Sequence, residues 1–308
     1  MADTTSSSTY TAVDLSRLPA PEVIETIDFE AVYAGLAAGV QARLAAVTPP
    51  IAFDPTNEAD PAVAVLQEAA YHVTVLRARV NDAAKACMVA YATGSDLDQL
   101  LALLDVERLI ITPANPDTGA AAIEEADSDL RSRGVLAPEG FSVAGPEGAY
   151  IFHSRSADSR VADASAISPE PCHVLVTILG RDGDGTAPSD LIDAVSSYLA
   201  SGDRRPLTDF VTVQSAGIVN YAIVATLITF AGPDASIVIA QAQAALASYL
   251  ATTRGLGRDV TRAGIIAALK VEGIQNVLLA EPAADIPLDR TQASNCTAIT
   301  ISNGGLGE

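Results

Sequence analysis

Apolar residues recur at three- and four-residue steps through the first third of the chain, then in short continuous or alternating runs through the last third. The first pattern is that of amphipathic helices, the second that of half-buried and buried strands. After the turn signal Leu18-Pro19-Ala20-Pro21, the positions Val23, Ile24, Ile27, Val32, Leu36, Val40 and Leu44 predict a helix entered through Pro21 and stopped before Pro49. From Pro61 to Tyr91 the spacing tightens to a heptad. Leu66, Val73, Val80 and Cys87 fall seven apart, and Ala69, Leu76, Ala83 and Ala90 follow each by three. Asp60 is placed to cap this helix, Pro61 suits its first position, and Gly94 marks its stop. Its length would be about 45 Å at 1.5 Å per residue. Alanine at three of the four d positions lets a partner backbone approach closely. Spacing alone leaves open whether that partner is an internal helix of the same chain or a helix of another, because bundle cores and coiled-coil seams share one pattern.

Ser95 is placed to cap a short leucine-rich helix, Asp96–Leu104, and the Pro-, Asn- and Gly-containing stretch 112–119 reads as a linker. A helix over Ala120–Arg133 follows, with acids before its midpoint and arginines in its last turn, as the helix dipole favours. Residues 134–170 read as β-meander pieces around Phe141–His153 and Arg160–Ile167. Val174–Leu179 is a buried strand, its loop leads to a helix opened by Pro188-Ser189-Asp190, and Phe210–Gln214 is a strand. The order then repeats loosely: strand Ile218–Phe230, helix Asp234–Thr252, helix Asp259–Val271, strand Gln275–Ala280 and strand Ala298–Ser302. The fold class expected is α+β multidomain, a long-helix bundle region followed by a small β-rich segment and two tandem α/β units. The corresponding domains are 1–111, 112–172, 173–216 and 217–308.

Composition narrows the function classes. With 308 residues and 49% hydrophobic content the chain can fill real cores, yet aromatics are only 5% and Trp is absent. Ligand pockets lean on aromatic and bulky apolar walls, so this composition favours close helix packing over a cofactor site. The formal charge of −20 repels phosphate backbones and anionic lipid surfaces, which argues against nucleic acid or membrane as partners. Cys87, Cys172 and Cys296 are odd in number and in no CxxC arrangement, consistent with reduced cytoplasmic thiols. The opening MADTTSSSTY lacks the basic and apolar regions of a secretory signal, residues 1–12 are expected to order only on a partner, and the longest apolar run, Ile218–Phe230, falls short of the about 20 residues a spanning helix needs.

Candidate chemistry is sparse. Asp182, Asp184, Thr186, Asp190 and Asp193 sit at EF-hand positions one, three, five, nine and twelve. The sixth position is Ala187 where glycine is wanted and the twelfth is the short Asp193, so a strand-to-helix turn is the simpler reading. Gly255-Leu-Gly257 follows a helix instead of a strand and reads as a turn, not a nucleotide loop. His72, His153 and His173 are isolated, with His72 expected at the surface of the long helix. The acid pairs Asp28/Glu30 and Glu124/Glu125 read as solvated faces. No catalytic, cofactor or metal constellation emerges.

Four phrases carry a family resemblance: Asp14–Glu30, Ala92-Thr-Gly-Ser-Asp-Leu-Asp98, Ser142–Tyr150 and Arg205-Pro-Leu-Thr-Asp-Phe-Val211. In this order and spacing they resemble the baseplate J proteins of contractile-tailed phages, over about Asp14 to Pro287. The resemblance implies a structural wedge subunit of a phage baseplate or of a phage-derived injection particle such as a tailocin, assembled in the bacterial cytoplasm. It implies that two copies join a second wedge protein, baseplate I-like, through a helical bundle, with a sheath-initiator or lysozyme-like baseplate protein nearby. The C-terminal α/β units would then link wedges into a ring around the hub. On that reading Leu66, Ala69, Val73, Leu76, Val80, Ala83, Cys87 and Ala90 face the bundle. The alternatives are a tail-tip module recognising a host receptor, which would be expected to carry aromatic contacts, and an enzyme, which would need a pocket with perturbed titratable groups.

Overall fold

The computed structural model describes residue 15, residues 21–232 and residues 234–307. The fold is α+β, with eight helices and eight strands among those residues. The chain divides into two compact units at Glu107/Arg108. The segment 1–12 lies outside the described residues.

The first unit, residues 13–107, holds three helices and no strand among its described residues. Helix α1 spans Phe29–Ala45, so it starts eight residues after Pro21; Asp28 takes the N-cap, its carboxylate accepting from the Glu30 N–H, and the stretch before it is turn and extended chain. Helix α2 spans Pro61–Ala86 with Asp60 as N-cap, its side chain accepting from the Ala62 N–H at 2.9 Å, and Pro61 in the first turn. It ends five residues earlier than Tyr91, with Cys87 as C-cap and residues 88–91 in turns. Gly94 does not stop α2. It has φ +54 and opens helix α3, Gly94–Ala102, where Thr93 and not Ser95 is the N-cap residue. Ala37 of α1, Val63 and Ala70 of α2, and Ala92, Leu97, Leu101 and Val106 are buried.

The second unit begins with two corrections. Residues 112–119 are not an open linker. Strand β1, Ile110–Thr112, pairs antiparallel with β2, Ile123–Glu124, and the turn between them is tied by the Asn115 side chain accepting from the Asp117 and Thr118 N–H groups. The following helix α4 is Asp127–Gly140, not Ala120–Arg133, because the chain before Ala126 is committed to the hairpin. The segment around Phe141–His153 is not a β-meander either: helix α5 occupies Glu147–Ala157, entered through Pro146. Its aromatic residues suggest a strand, but the buried positions Ala149, Tyr150, His153 and Ser154 step by three and four, so packing of one face overrides local propensity.

Two three-stranded mixed sheets follow. In the first, β3 (Val161–Glu170) runs antiparallel to β4 (His173–Gly180), and β4 runs parallel to β5 (Phe210–Ser215) across the crossover helix α6 (Ser189–Leu199). In the second, β6 (Gly217–Phe230) is central, antiparallel to β7 (Ile274–Glu281) and parallel to β8 (Gln292–Gly307). Helices α7 (Ala235–Thr253) and α8 (Arg262–Leu269) pack with this sheet. Each sheet thus has a middle strand flanked by one antiparallel and one parallel neighbour. The first core gathers Tyr150, Val161, Val176, Ile178, Leu191 and Leu199; the second gathers Ile223, Leu227, Val238, Leu246, Ile265 and Leu269. Helix α7 is long and apolar enough to cross a membrane by length and composition, but its Val238, Ala242 and Leu246 belong to the second core.

The two sheets are joined. Leu179, Ala216 and Ala293 form a small shared core, the Leu256 N–H donates to Asp163 at 3.0 Å, and the Arg290 guanidinium pairs with Glu147 while donating to the Ala166 carbonyl.

Candidate functional site

Helix α2 has two lines, one buried and one exposed. The inner one is Val63, Ala70 and the polar Asn81, buried against the rest of the first unit. Asn81 holds the chain ahead of α1 on both sides of one residue: its oxygen accepts from the Glu25 N–H at 3.1 Å and its amide donates to the Glu25 carbonyl at 2.8 Å. At 100° per residue the predicted heptad positions run from about a sixth to more than two-fifths of a turn away from that line. Along this second line Leu76 and Val80 are 65% and 61% exposed, and Val65, one turn before Ala69, is 69% exposed. Leu66, Ala69 and Val73 are half-buried and Ala83 is exposed. Cys87 lies at the C-cap and Ala90 in the turn beyond, so the last predicted heptad does not continue on the helix.

Beside Val73 the line opens into a groove of about 350 Å³ lined by Asp28, Val32, Gly35, Leu36, Val73 and Arg77, among others. A Cβ placed on Gly35 or Gly39 would meet nothing, so α1 presents a bare backbone flank there. Sequence reading missed the groove and Val65. The signal for the groove was Gly35 in the middle of α1.

Elsewhere the predicted residues disperse. Asp190 pairs with Arg160 at 2.6 Å, Asp184 caps the turn by accepting from the Thr186 N–H, which holds its carboxyl below the usual range, and Asp193 is exposed on α6. Asp182 is exposed in the turn, closed by the Gly180 N–H donating to the Gly185 carbonyl at 2.7 Å. No group of three His, Cys, Asp or Glu that could hold a metal occurs among the described residues. Gly255-Leu-Gly257 is a turn: Gly257 has φ +66, and Leu256 bridges to Ala293. His72 is exposed beside Glu68, and the His173 ring lies tilted against Phe210. Asp28 is the α1 cap. Glu125, expected on a solvated face, is instead 3% exposed and forms a two-pronged pair with the equally buried Arg133, at 2.6 and 3.2 Å. Charge runs give no warning of such burial, since the partner lies on the following helix. His153 is buried, both ring nitrogens lack a hydrogen-bond partner among the described residues, and burial with the nearby Arg204 pushes its pKa down. In the second unit a cavity of about 240 Å³ lies between α7 and β8, with Tyr221, pushed up to about 12 by burial, and Cys296, also raised, on its wall.

Three family models match in chain order: the baseplate J-like N-terminal domain over residues 58–115, the central domain over 142–215, and the C-terminal domain over 221–302. Baseplate protein J of Escherichia phage P2 is 45% identical over 303 residues, covering 96% of this chain and 99% of that protein. The chain belongs to the baseplate J-like family. As a member it is a structural subunit of a phage-type baseplate, part of the virion or tail. Among solved structures, a 6-fold symmetrised baseplate of the anti-feeding prophage aligns with 49% of this chain and 36% of its own at 14% identity and a TM-score of 0.36, too loose a likeness to carry a structural correspondence. The N-terminal family match begins three residues before Pro61 and takes in all of α2.

Proposed function

We propose that this baseplate J-like protein is a non-catalytic wedge subunit. Two copies join a second, baseplate I-like wedge protein through a helical bundle that includes α2, and the β-containing unit links neighbouring wedges into a ring around the hub. A sheath-initiator or lysozyme-like baseplate protein is a further neighbour, and assembly takes place in the host cytoplasm before the particle is released. The reading holds equally for an infectious phage and a tailocin.

The observation that carries it is the outer line of α2. Val65, Leu76 and Val80 are each more than 60% exposed, on a helix whose other line is already buried. Burying a Val or Leu side chain that is left exposed is worth about 1.5–3 kcal/mol. Three such residues along one helix, beside half-buried Leu66 and Val73 and small Ala69 and Ala83, form a surface that a helix of another chain would cover. The net charge of −20 keeps free subunits soluble and leaves basic or neutral surfaces as partners.

The test is Leu76→Glu with Val80→Glu in the full chain, co-expressed with the second wedge protein. Both side chains point outward, so the unfolding midpoint is expected to stay unchanged while co-purification of the second wedge protein is lost. Wedges that still form with both substitutions would rule out α2 as the bundle helix.

A further inference from the structure

The negative charge of this chain is unevenly placed. Residues 217–307 hold five Arg or Lys against six Asp or Glu, a net of −1, so −19 of the total −20 lies elsewhere. Within this near-neutral region β8 is the longest strand, Gln292–Gly307, 16 residues with no charged side chain and no proline. It is an edge strand. One side pairs with β6 along its length. The other is covered only at its start, where Leu256 bridges Ala293 and the Gly257 N–H donates to the Gln292 carbonyl. From Thr297 to Leu306 that side has no backbone partner among the described residues, and every residue but Ile301 is exposed. Ile299 and Leu306 are 47% and 70% exposed. Natural proteins guard long edges with charges, proline or bulges, because an unguarded row of N–H and C=O groups recruits another strand. Neither charge nor proline is present here, and the irregularities in the pairing with β6 fall at Thr297 and at Gly304-Gly305, so Ala298–Asn303 between them is a regular open edge.

We propose that two copies of the chain join through β8, edge to edge and antiparallel about a two-fold axis within Thr297–Leu306, making one continuous six-stranded sheet. Charge selects the occupant. A basic partner, which the acidic remainder of the surface invites, finds no acid on β8. A second copy carrying −20 is repelled by most of this molecule and meets little opposing field only at residues 217–307. A strand identical in length and neutrality is the copy's own β8, and two-fold pairing satisfies both edges at once and closes the assembly. The proposal rests on the wedge reading, whose ring needs a contact between copies, but it uses a different element from α2.

Sedimentation velocity on the full chain carrying Leu76→Glu and Val80→Glu, which silences α2, reads this contact by itself. A concentration-dependent species of twice the chain mass is expected. Adding Thr300→Lys or adding Thr300→Glu should each convert it to monomer, and mixing the two variants should restore the dimer, which also shows that both are folded. In the chain without a Thr300 substitution, amide exchange over Thr297–Leu306 should slow as concentration rises. Monomer at every concentration, a dimer indifferent to Thr300→Lys, or exchange independent of concentration would each overturn the proposal. So would loss of the dimer on deleting residues 2–13 with β8 intact, since the uncharged stretch 4–13 would then be the strand that pairs. A dimer that persists while wedge co-purification is unaffected by the α2 substitutions sinks the bundle reading alone.

Discussion

At the scale of single residues the molecule places unusual groups where they hold elements together. Glu125 and Arg133 are both nearly inaccessible, and Glu125 also receives the Leu109 N–H at 3.3 Å, while Arg108 donates to its carbonyl and pairs with Asp127 at 2.7 Å. This network fastens the β1–β2 hairpin to α4. Removing one partner strands a buried charge, so Glu125→Ala is expected to cost about 3–5 kcal/mol, measured by urea unfolding. His153 supplies the pH dependence. Its folded-state pKa lies below the ordinary 6.5, chiefly because burial disfavours the cation, so the folded chain binds fewer protons than the unfolded one as pH falls below that value. Its contribution to stability is complete above about pH 6.5 and is lost progressively on acidification. The difference in unfolding free energy between neutral pH and about pH 5 is expected to shrink in His153→Phe, a swap that keeps the aromatic contacts with Phe152 and Tyr198.

At the scale of elements, capping and periodicity act as the sequence suggests where the element is long and regular. The Asp60 cap and Pro61 start of α2 were legible because both act through local backbone geometry. Asp60→Ala is expected to lower the stability of the helical unit by about 1 kcal/mol, seen as a lower thermal midpoint. The end of α2 was not legible. A heptad can be written through Cys87 and Ala90, but the turn at 88–91 and the following helix decide where the chain leaves the axis. Helices α4 and α5 were displaced or missed for a related reason. The pairing of Ile110 with Glu124 claims residues whose helix propensity is good, and burial of Tyr150, whose hydroxyl donates to Asp209 at 2.7 Å, turns an aromatic-rich segment into a helix. The heptad line could be read on the helix only as far as Ala83, and its meaning could not be read at all, since spacing does not distinguish the buried line through Val63 and Ala70 from the exposed one through Leu76 and Val80.

At the scale of the whole molecule, the β-containing unit is more integrated than two tandem modules. β3 belongs to the first sheet, and Glu147 before it and Asp163 within it contact Arg290 and Leu256 of the second half. A fragment beginning at Pro171 therefore loses β3, α5 and these contacts, whereas one beginning at Arg108 keeps all the strands and helices of the unit among the described residues. The expected outcome is a single cooperative thermal transition for residues 108–308, and a broadened transition or insoluble material for residues 171–308, measured by calorimetry. The family assignment belongs to this scale too, because it rests on three domains in order and not on any one motif.

The sequence by itself determined the helical first unit, the strands of the two three-stranded sheets but not the β1–β2 hairpin, the long heptad helix with its start, and the family. These follow from local capping, periodicity and phrases read in order, which need no knowledge of what lies opposite. Only the tertiary structure decided which line of α2 is buried, that Glu125 is an interior charge, that β3 and α5 tie the two sheets together, and that β8 leaves an uncharged edge open. Each of those depends on which surfaces remain after the chain has satisfied its own packing and hydrogen bonds, and residues far apart in sequence settle that together.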